Sequence, residues 1–133
     1  MQYLLTLYAD ESNWNKMTRE QQEQGVAAYA AYGQALQAAG VLKGSNRLRP
    51  SSTATTLRTT DAKVQVLDGP FIESKEQLGG YYLIDVPDLD AAISWAVKCP
   101  GVHHGVIELR AIWDMSPGAQ QQNTREEALA AAK

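Results

Sequence analysis

Gly79-Gly80-Tyr81-Tyr82-Leu83-Ile84-Asp85-Val86 is the stretch on which the fold turns. Tyr82, Ile84 and Val86 fall on one parity, Tyr81 and Leu83 on the other. A strand places alternate residues on opposite faces, so this one is apolar on both sides and reads as a strand covered on both. Residues 2–8 read the same way, with Tyr3, Leu5 and Leu7 on one side and Leu4 and Tyr8 on the other. Two strands of this kind belong at the centre of a sheet.

Outward from this pair the chain alternates between strands and helices. Thr18 with Gln21 three residues on forms a capping box, which predicts a helix running to about residue 39. Its face is marked by Val26, Tyr29, Ala30, Gly33, Leu36 and Gln37, and Gly40 is the expected stop. Residues 41–49 are extended, and Pro50-Ser51-Ser52 breaks them. Residues 54–60 and 63–67 then flank Asp61-Ala62 as a hairpin. After the Tyr81 strand, Asp88 caps a second helix with Leu89, Ala92, Ile93 and Ala96 as its buried stripe and Trp95 extending it. Pro100-Gly101 ends that helix, and residues 104–113 form the last strand.

The order β-α-β-hairpin-β-α-β predicts an α+β fold, the ferredoxin-like split βαβ with an inserted hairpin. Two helices cover one face of such a sheet. Since the central strands are apolar on the other face too, a second copy of the chain is the simplest cover. The expected assembly is a homodimer joined through its sheet faces. Residues 1–113 form the domain. Residues 114–133 read as a polar linker followed by a short helix capped by Thr124 and Glu127.

Composition narrows the function classes. At 133 residues with 44% hydrophobic side chains, one core suffices without a disulfide or metal staple. A net charge of −3 with scattered Lys and Arg gives no basic face, so direct nucleic-acid binding is not expected. No apolar run reaches membrane-spanning length and the start lacks a signal peptide's basic region, so no membrane partner is expected and the cytoplasm is the expected compartment. Cys99 is the single cysteine, which excludes an internal disulfide; at a helix end it reads as a small buried apolar residue.

Candidate site residues gather around Asp68-Gly69-Pro70-Phe71. Pro70 fixes its own φ, donates no hydrogen bond and pushes Gly69 towards extended geometry, so the chain leaves the sheet here. Asp68 either accepts hydrogen bonds from the turn's own amides or serves as a ligand or proton-transfer group. Phe71 is expected to pin the turn to the core. Glu73, Lys75 and Glu76 form a solvated face, or else Lys75 and Glu76 line a cleft beside Asp68. Gly79-Gly80 marks either a turn into the strand or a close approach of backbone or ligand. His103 and His104 are neighbours on a strand and so face opposite ways, which disfavours a shared metal ion; a single histidine suits acid–base work. By parity His104 joins Val106, Glu108, Arg110 and Ile112. Glu108 and Arg110 then form a polar cavity or dimer-spanning ion pair, where an Arg suits a carboxylate, or else a solvated edge. No metal and no cofactor is expected.

The chain resembles the YCII-related family, in the branch named for its Asp-Gly-Pro-Phe tetrapeptide. The match is carried by Leu67-Asp68-Gly69-Pro70-Phe71, Glu73-Ser74-Lys75-Glu76-Gln77-Leu78-Gly79-Gly80-Tyr81-Tyr82-Leu83-Ile84, Asp88-Leu89-Asp90-Ala91-Ala92, Cys99-Pro100, His103-His104-Gly105 and Glu108-Leu109-Arg110. It spans residues 1–113. It implies a bacterial protein, a dimeric α+β barrel and a largely uncharacterised function. It also implies either an enzyme with a His–Asp pair in a cleft or a regulatory protein linked to extracytoplasmic-function sigma factors. Two departures stand out. The YCII branch carries a histidine on the first helix, whereas this helix has none and offers Tyr29 and Tyr32, and Ala111 stands where the Asp-Gly-Pro-Phe branch usually has proline. The expected function is therefore a small-molecule-binding or regulatory homodimer. The alternatives are an enzyme in which Asp68 works with His103 or His104, with Lys75 and Arg110 holding the substrate, and a structural dimer that recruits a partner through its tail.

Overall fold

The computed structural model describes residues 1–118 of the chain, so the expected tail helix and the second half of the polar linker lie outside the described residues. Strand β1 (Gln2–Ala9) is followed by a short helix α1 (Glu11–Lys16) and a long helix α2 (Arg19–Ala38). Strand β2 (Leu42–Arg47) leads through a 3-10 turn (Ser51–Thr53) into a hairpin of β3 (Thr55–Thr60) and β4 (Lys63–Asp68). Strand β5 (Gln77–Asp85), helix α3 (Leu89–Ala96), a second 3-10 turn (Pro100–His103) and β6 (Val106–Ala111) follow within the described residues.

The main sheet has the antiparallel order β2-β5-β1-β6, the ferredoxin-like topology, with the two doubly apolar strands at its centre as expected. The hairpin forms a separate two-stranded sheet. Tyr3, Leu5, Tyr82 and Ile84 point to the helix side and join Tyr32 and Leu36 of α2 with Ala92 and Ala96 of α3 in the core. Tyr32 meets Tyr82 edge to face at 5.1 Å and donates its hydroxyl to the Trp95 carbonyl oxygen at 2.8 Å, tying α2 to α3.

Local signals set the helix ends. The Thr18 capping box is complete in both directions, and Gly40 takes φ +74° just past the end of α2, a conformation that favours glycine. Asp88 caps α3 by accepting from the Ala91 N–H. The buried stripes are narrower than the sequence suggests. Val26 on α2 and Leu89 and Ile93 on α3 are exposed, because each helix touches the sheet along one line and these residues lie on its flank.

Helix α1 is not anticipated by periodicity. Asp10 caps it through the Ser12 N–H, and six residues suffice to carry Trp14 back over α2. Strand β6 starts at Val106, not at residue 104. The chain makes a 3-10 turn after Pro100, so His103 ends that turn and His104 follows it. The two histidines are therefore not strand neighbours, and strand parity does not assign their directions. Gly105 must follow, since a methyl group there would overlap the Tyr8 carbonyl.

Candidate functional site

Asp68 closes β4 opposite Thr55, at the base of the hairpin. Gly69 takes φ +104° and not the extended geometry expected before proline; this lets its N–H donate to the Ala54 carbonyl at 2.7 Å. Thr56 Oγ1 donates to the Gly69 carbonyl at 2.7 Å, so the tetrapeptide folds back on the hairpin itself. Phe71 does not pin it to the core. Among the described residues no layer lies behind this ribbon; the ring is 69% exposed, with the Arg58 guanidinium 5.7 Å from its centroid. Among the described residues no backbone amide donates to the Asp68 carboxylate, and no hydrogen bond joins it to His103 or His104.

The remaining candidates lie mainly at one end of the main sheet. Asp10 follows β1 there, its carboxyl held below the usual range chiefly by the Ser12 hydroxyl and N–H, with the charges of Lys75 and Lys16 adding in the same direction. Lys75 therefore stands towards α1. Glu76 is exposed, and its N–H donates to Ser74 Oγ at 3.3 Å. His103 and His104 are exposed at the same end, where Tyr8 pairs with Val106. Arg110 lies further along the edge strand, on the face away from the helices. It pairs with Glu108 of its own strand at 2.9 Å in an exposed position, where such a pair stabilises little. Among the described residues no three His, Cys, Asp or Glu side chains cluster closely enough to hold a metal ion.

A different cluster forms on the helix side of that end. Arg47 ends β2 and stacks its guanidinium over the Trp14 ring, 4.6 Å from the centroid. Trp14 reaches over α2 to within contact of Gly25: a methyl group there would lie 3.7 Å from its ring. Tyr29, one turn further along α2, places its hydroxyl against Gly101, where a methyl group would stand 3.0 Å from the phenol oxygen and 3.2 Å from Leu7 Cδ2. Burial pushes the Tyr29 phenol above its ordinary value and the nearby Cys99 adds to the shift, while the Arg47 charge opposes both. Burial also raises the Cys99 thiol, so that sulfur is inert apolar packing.

The backbone makes room for this cluster. Gly79 is the extra residue where Leu7 pairs with Gly80 and Tyr8 with Leu78, and its carbonyl accepts from the Leu48 N–H at 2.9 Å. Opposite Arg47, Gly80 approaches β2 so closely that a methyl group would sit 2.8 Å from the Asn46 carbonyl oxygen. The glycine pair is thus a bulge and a close approach inside the strand, not a turn before it. Ser51 anchors the following loop, donating its N–H and hydroxyl to the two Glu11 oxygens at 2.7 and 2.8 Å. Among the described residues neither Arg47 nor the Tyr29 hydroxyl has a hydrogen-bond partner. Sequence reasoning singles out Tyr29 but not Arg47 or Trp14. The available signal was an aromatic residue in an otherwise polar segment.

Among the described residues no helix is long and apolar enough to cross a membrane. An uncharacterised protein of Rhizobium meliloti strain 1021 is 40% identical over 120 residues, covering 89% of this chain and 97% of its own. A solved structure of 5-chloro-2-hydroxyhydroquinone dehydrochlorinase from Burkholderia phenoliruptrix AC1100, in complex with 2,5-dihydroxybenzoquinone, aligns with a TM-score of 0.49 at 14% identity. That alignment covers 84% of this chain and 93% of the other. The model of the YCII-related domain matches residues 1–116, which takes in every strand and helix of the described residues. With that match the topology, the Asp68 turn and the glycine bulge come under one family: the chain belongs to the YCII-related proteins.

Proposed function

We propose that the protein is a homodimer that binds a small organic molecule, and that binding and not turnover is its task. The observation that carries this reading is a pair of donors without a hydrogen-bond partner among the described residues, the exposed Arg47 guanidinium over the Trp14 ring and the half-buried Tyr29 hydroxyl beside Gly101. A half-buried hydroxyl such as that of Tyr29 normally has a partner, and a ligand would supply one. Acid–base turnover by Asp68 with His103 or His104 has no comparable support, since no hydrogen bond links these groups among the described residues.

The dimer rests on the sheet face away from the helices. There Leu4 pairs with Leu83, Tyr8 stands beside Val106, and Val106 is 49% exposed. A second copy would cover this row by presenting the same face, and the exposed apolar side of the hairpin would add to the contact. A dimer would bring two sites into one particle, an arrangement suited to a ligand-controlled regulator.

Sedimentation equilibrium tests the assembly, and amide NMR titration against a small-molecule library tests the site. The wild-type chain should sediment as a dimer, Leu83→Glu as a folded monomer, and bound compounds should move the amides of Gly80 and Gly101. A wild-type monomer, or a library that moves neither the Gly80 nor the Gly101 amide, overturns the corresponding half.

A further inference from the structure

We infer that the apolar face of the β3–β4 hairpin is a docking surface for a second copy of the chain, each copy gripping the other with this arm. This rests on the homodimer reading above and names the element on which that dimer depends.

The hairpin sorts its side chains by face. The register pairs Leu57 with Val66 and Thr59 with Val64, so these four share one side of the ribbon. Thr56, Arg58, Lys63 and Gln65 point to the other side. That polar side has a cover of its own. Thr56 donates to the Gly69 carbonyl and Arg58 lies over the Phe71 ring, so the chain leaving β4 folds back across it. The apolar side has no such cover among the described residues. Leu57, Val64 and Val66 are all exposed, and β3 and β4 pack extensively only on each other.

A two-stranded ribbon is marginal in water, and one that stays exposed normally carries charge on its bare side. This one does the reverse. Arg58 and Lys63 lie on the covered side, and Asp68 at the base is the one charge of the two strands on the apolar side. The arm is also fixed before it docks. Ser51 is bound to both Glu11 oxygens, and the Gly69 N–H donates to the Ala54 carbonyl, so the base is held and little ordering remains to be lost on association.

Area decides the occupant. Two six-residue strands give the ribbon a flat footprint of roughly 200 Å2. A stable specific interface takes about 800 Å2 of accessible surface from each partner. The ribbon alone falls far short, so its occupant must also meet another surface of the same molecule. The outer face of the main sheet, with Leu4, Tyr8, Leu83 and Val106, is that surface. Its four strands add a flat footprint of roughly 400 Å2, again too little alone. The relief of the side chains lifts the accessible area of the two together above the flat sum. A second copy presents both surfaces at once, and a two-fold axis lets each copy give and receive an arm. Charge raises no barrier, since Arg110 on the sheet face is already paired with Glu108 of its own strand.

The test mixes isotope-labelled and unlabelled full-length chain and records isotope-filtered NOEs from the methyl groups of Leu57, Val64 and Val66. Contacts to the other copy are expected. In sedimentation equilibrium Val66→Glu should raise the dimer dissociation constant about tenfold or more, because docking would bury an unpaired charge. Gln65→Glu puts the same charge on the opposite side and should leave the constant within about twofold. Val66 is exposed in the single chain, so the core amide spectrum of its variant should match that of the wild type. If the wild type is a dimer whose ribbon methyls touch only their own copy, or nothing, the face is covered from within or serves a different partner. That result overturns this inference and leaves the homodimer standing. Val66→Glu dimerising as tightly as the wild type, or Gln65→Glu weakening the dimer equally, overturns it in the same way. A wild-type chain that stays monomeric overturns both.

Discussion

The central strands β1 and β5 and the hairpin strands β3 and β4 use similar residues to opposite ends. In β1 and β5, Leu5 and Ile84 are fully buried, with α2 and α3 packed behind them. In the hairpin, Leu57, Val64 and Val66 stand on one face with exposures of 64%, 67% and 66%. Apolar, β-prone side chains make a strand in both places. Burial requires a second layer, and among the described residues only the main sheet has one. An isolated two-stranded ribbon is marginal in water. The hairpin is held instead by its turn, by the Thr56 bond to Gly69, and by the Ser51 clasp on Glu11 at its base.

The sharpest way to break the comparison is to shorten one apolar side chain in each region. Leu5→Ala should lose about 2–5 kcal/mol, since it leaves a cavity in a packed core. Val66→Ala in a monomeric background such as Leu83→Glu should stay within about 0.5 kcal/mol, the range of an exposed site. Urea denaturation of both variants decides the matter, and a hairpin variant as damaging as the core one would mean that the ribbon is covered.

Alkaline pH attacks the core alone. Burial raises the Tyr82 phenol from 10.0 to about 12, and Tyr32 and Cys99 shift upward for the same reason, while the hairpin strands carry no buried ionisable group. The unfolded chain releases its phenol protons from about pH 10, whereas the folded chain keeps them. Stability should therefore be full below pH 10 and fall as pH rises towards 12. Thermal melts across that range should show the fall, and Tyr82→Phe should flatten it.

A smaller and opposite effect belongs to the hairpin turn. Asp61 and Ala62 take φ +50° and +64°, the left-handed pair of a tight two-residue turn, and a side chain strains that conformation most at Ala62. Ala62→Gly should stabilise the ribbon by about 1 kcal/mol. Hydrogen exchange should slow for the β3 and β4 amides and remain unchanged in β1 and β5.

Much of this molecule is legible in the order of its residues. The capping box at Thr18, the stop at Gly40, the cap at Asp88 and the hairpin around Asp61-Ala62 are local signals, each complete within a few positions, and each appears where expected. The short helix α1 is invisible to periodicity because six residues hold too few apolar positions to show a period. The histidines depart from expectation because Pro100-Gly101 looks like a helix stop leading straight into a strand, whereas the chain inserts a further turn.

What the sequence by itself determined, then, is the kind and order of the elements and the strands at the centre of the sheet, because backbone propensity and side-chain alternation act over short distances. The tertiary structure alone decided that Val26, Leu89 and Ile93 lie on helix flanks, that Gly79 is a bulge, and that Gly80 must let β2 approach. It alone brought Trp14, Tyr29, Arg47 and Gly101 together from four separate elements. Their meeting depends on strand register and on how far each helix rides along the sheet. Those are set by the packing of the whole core, which no stretch of the sequence contains.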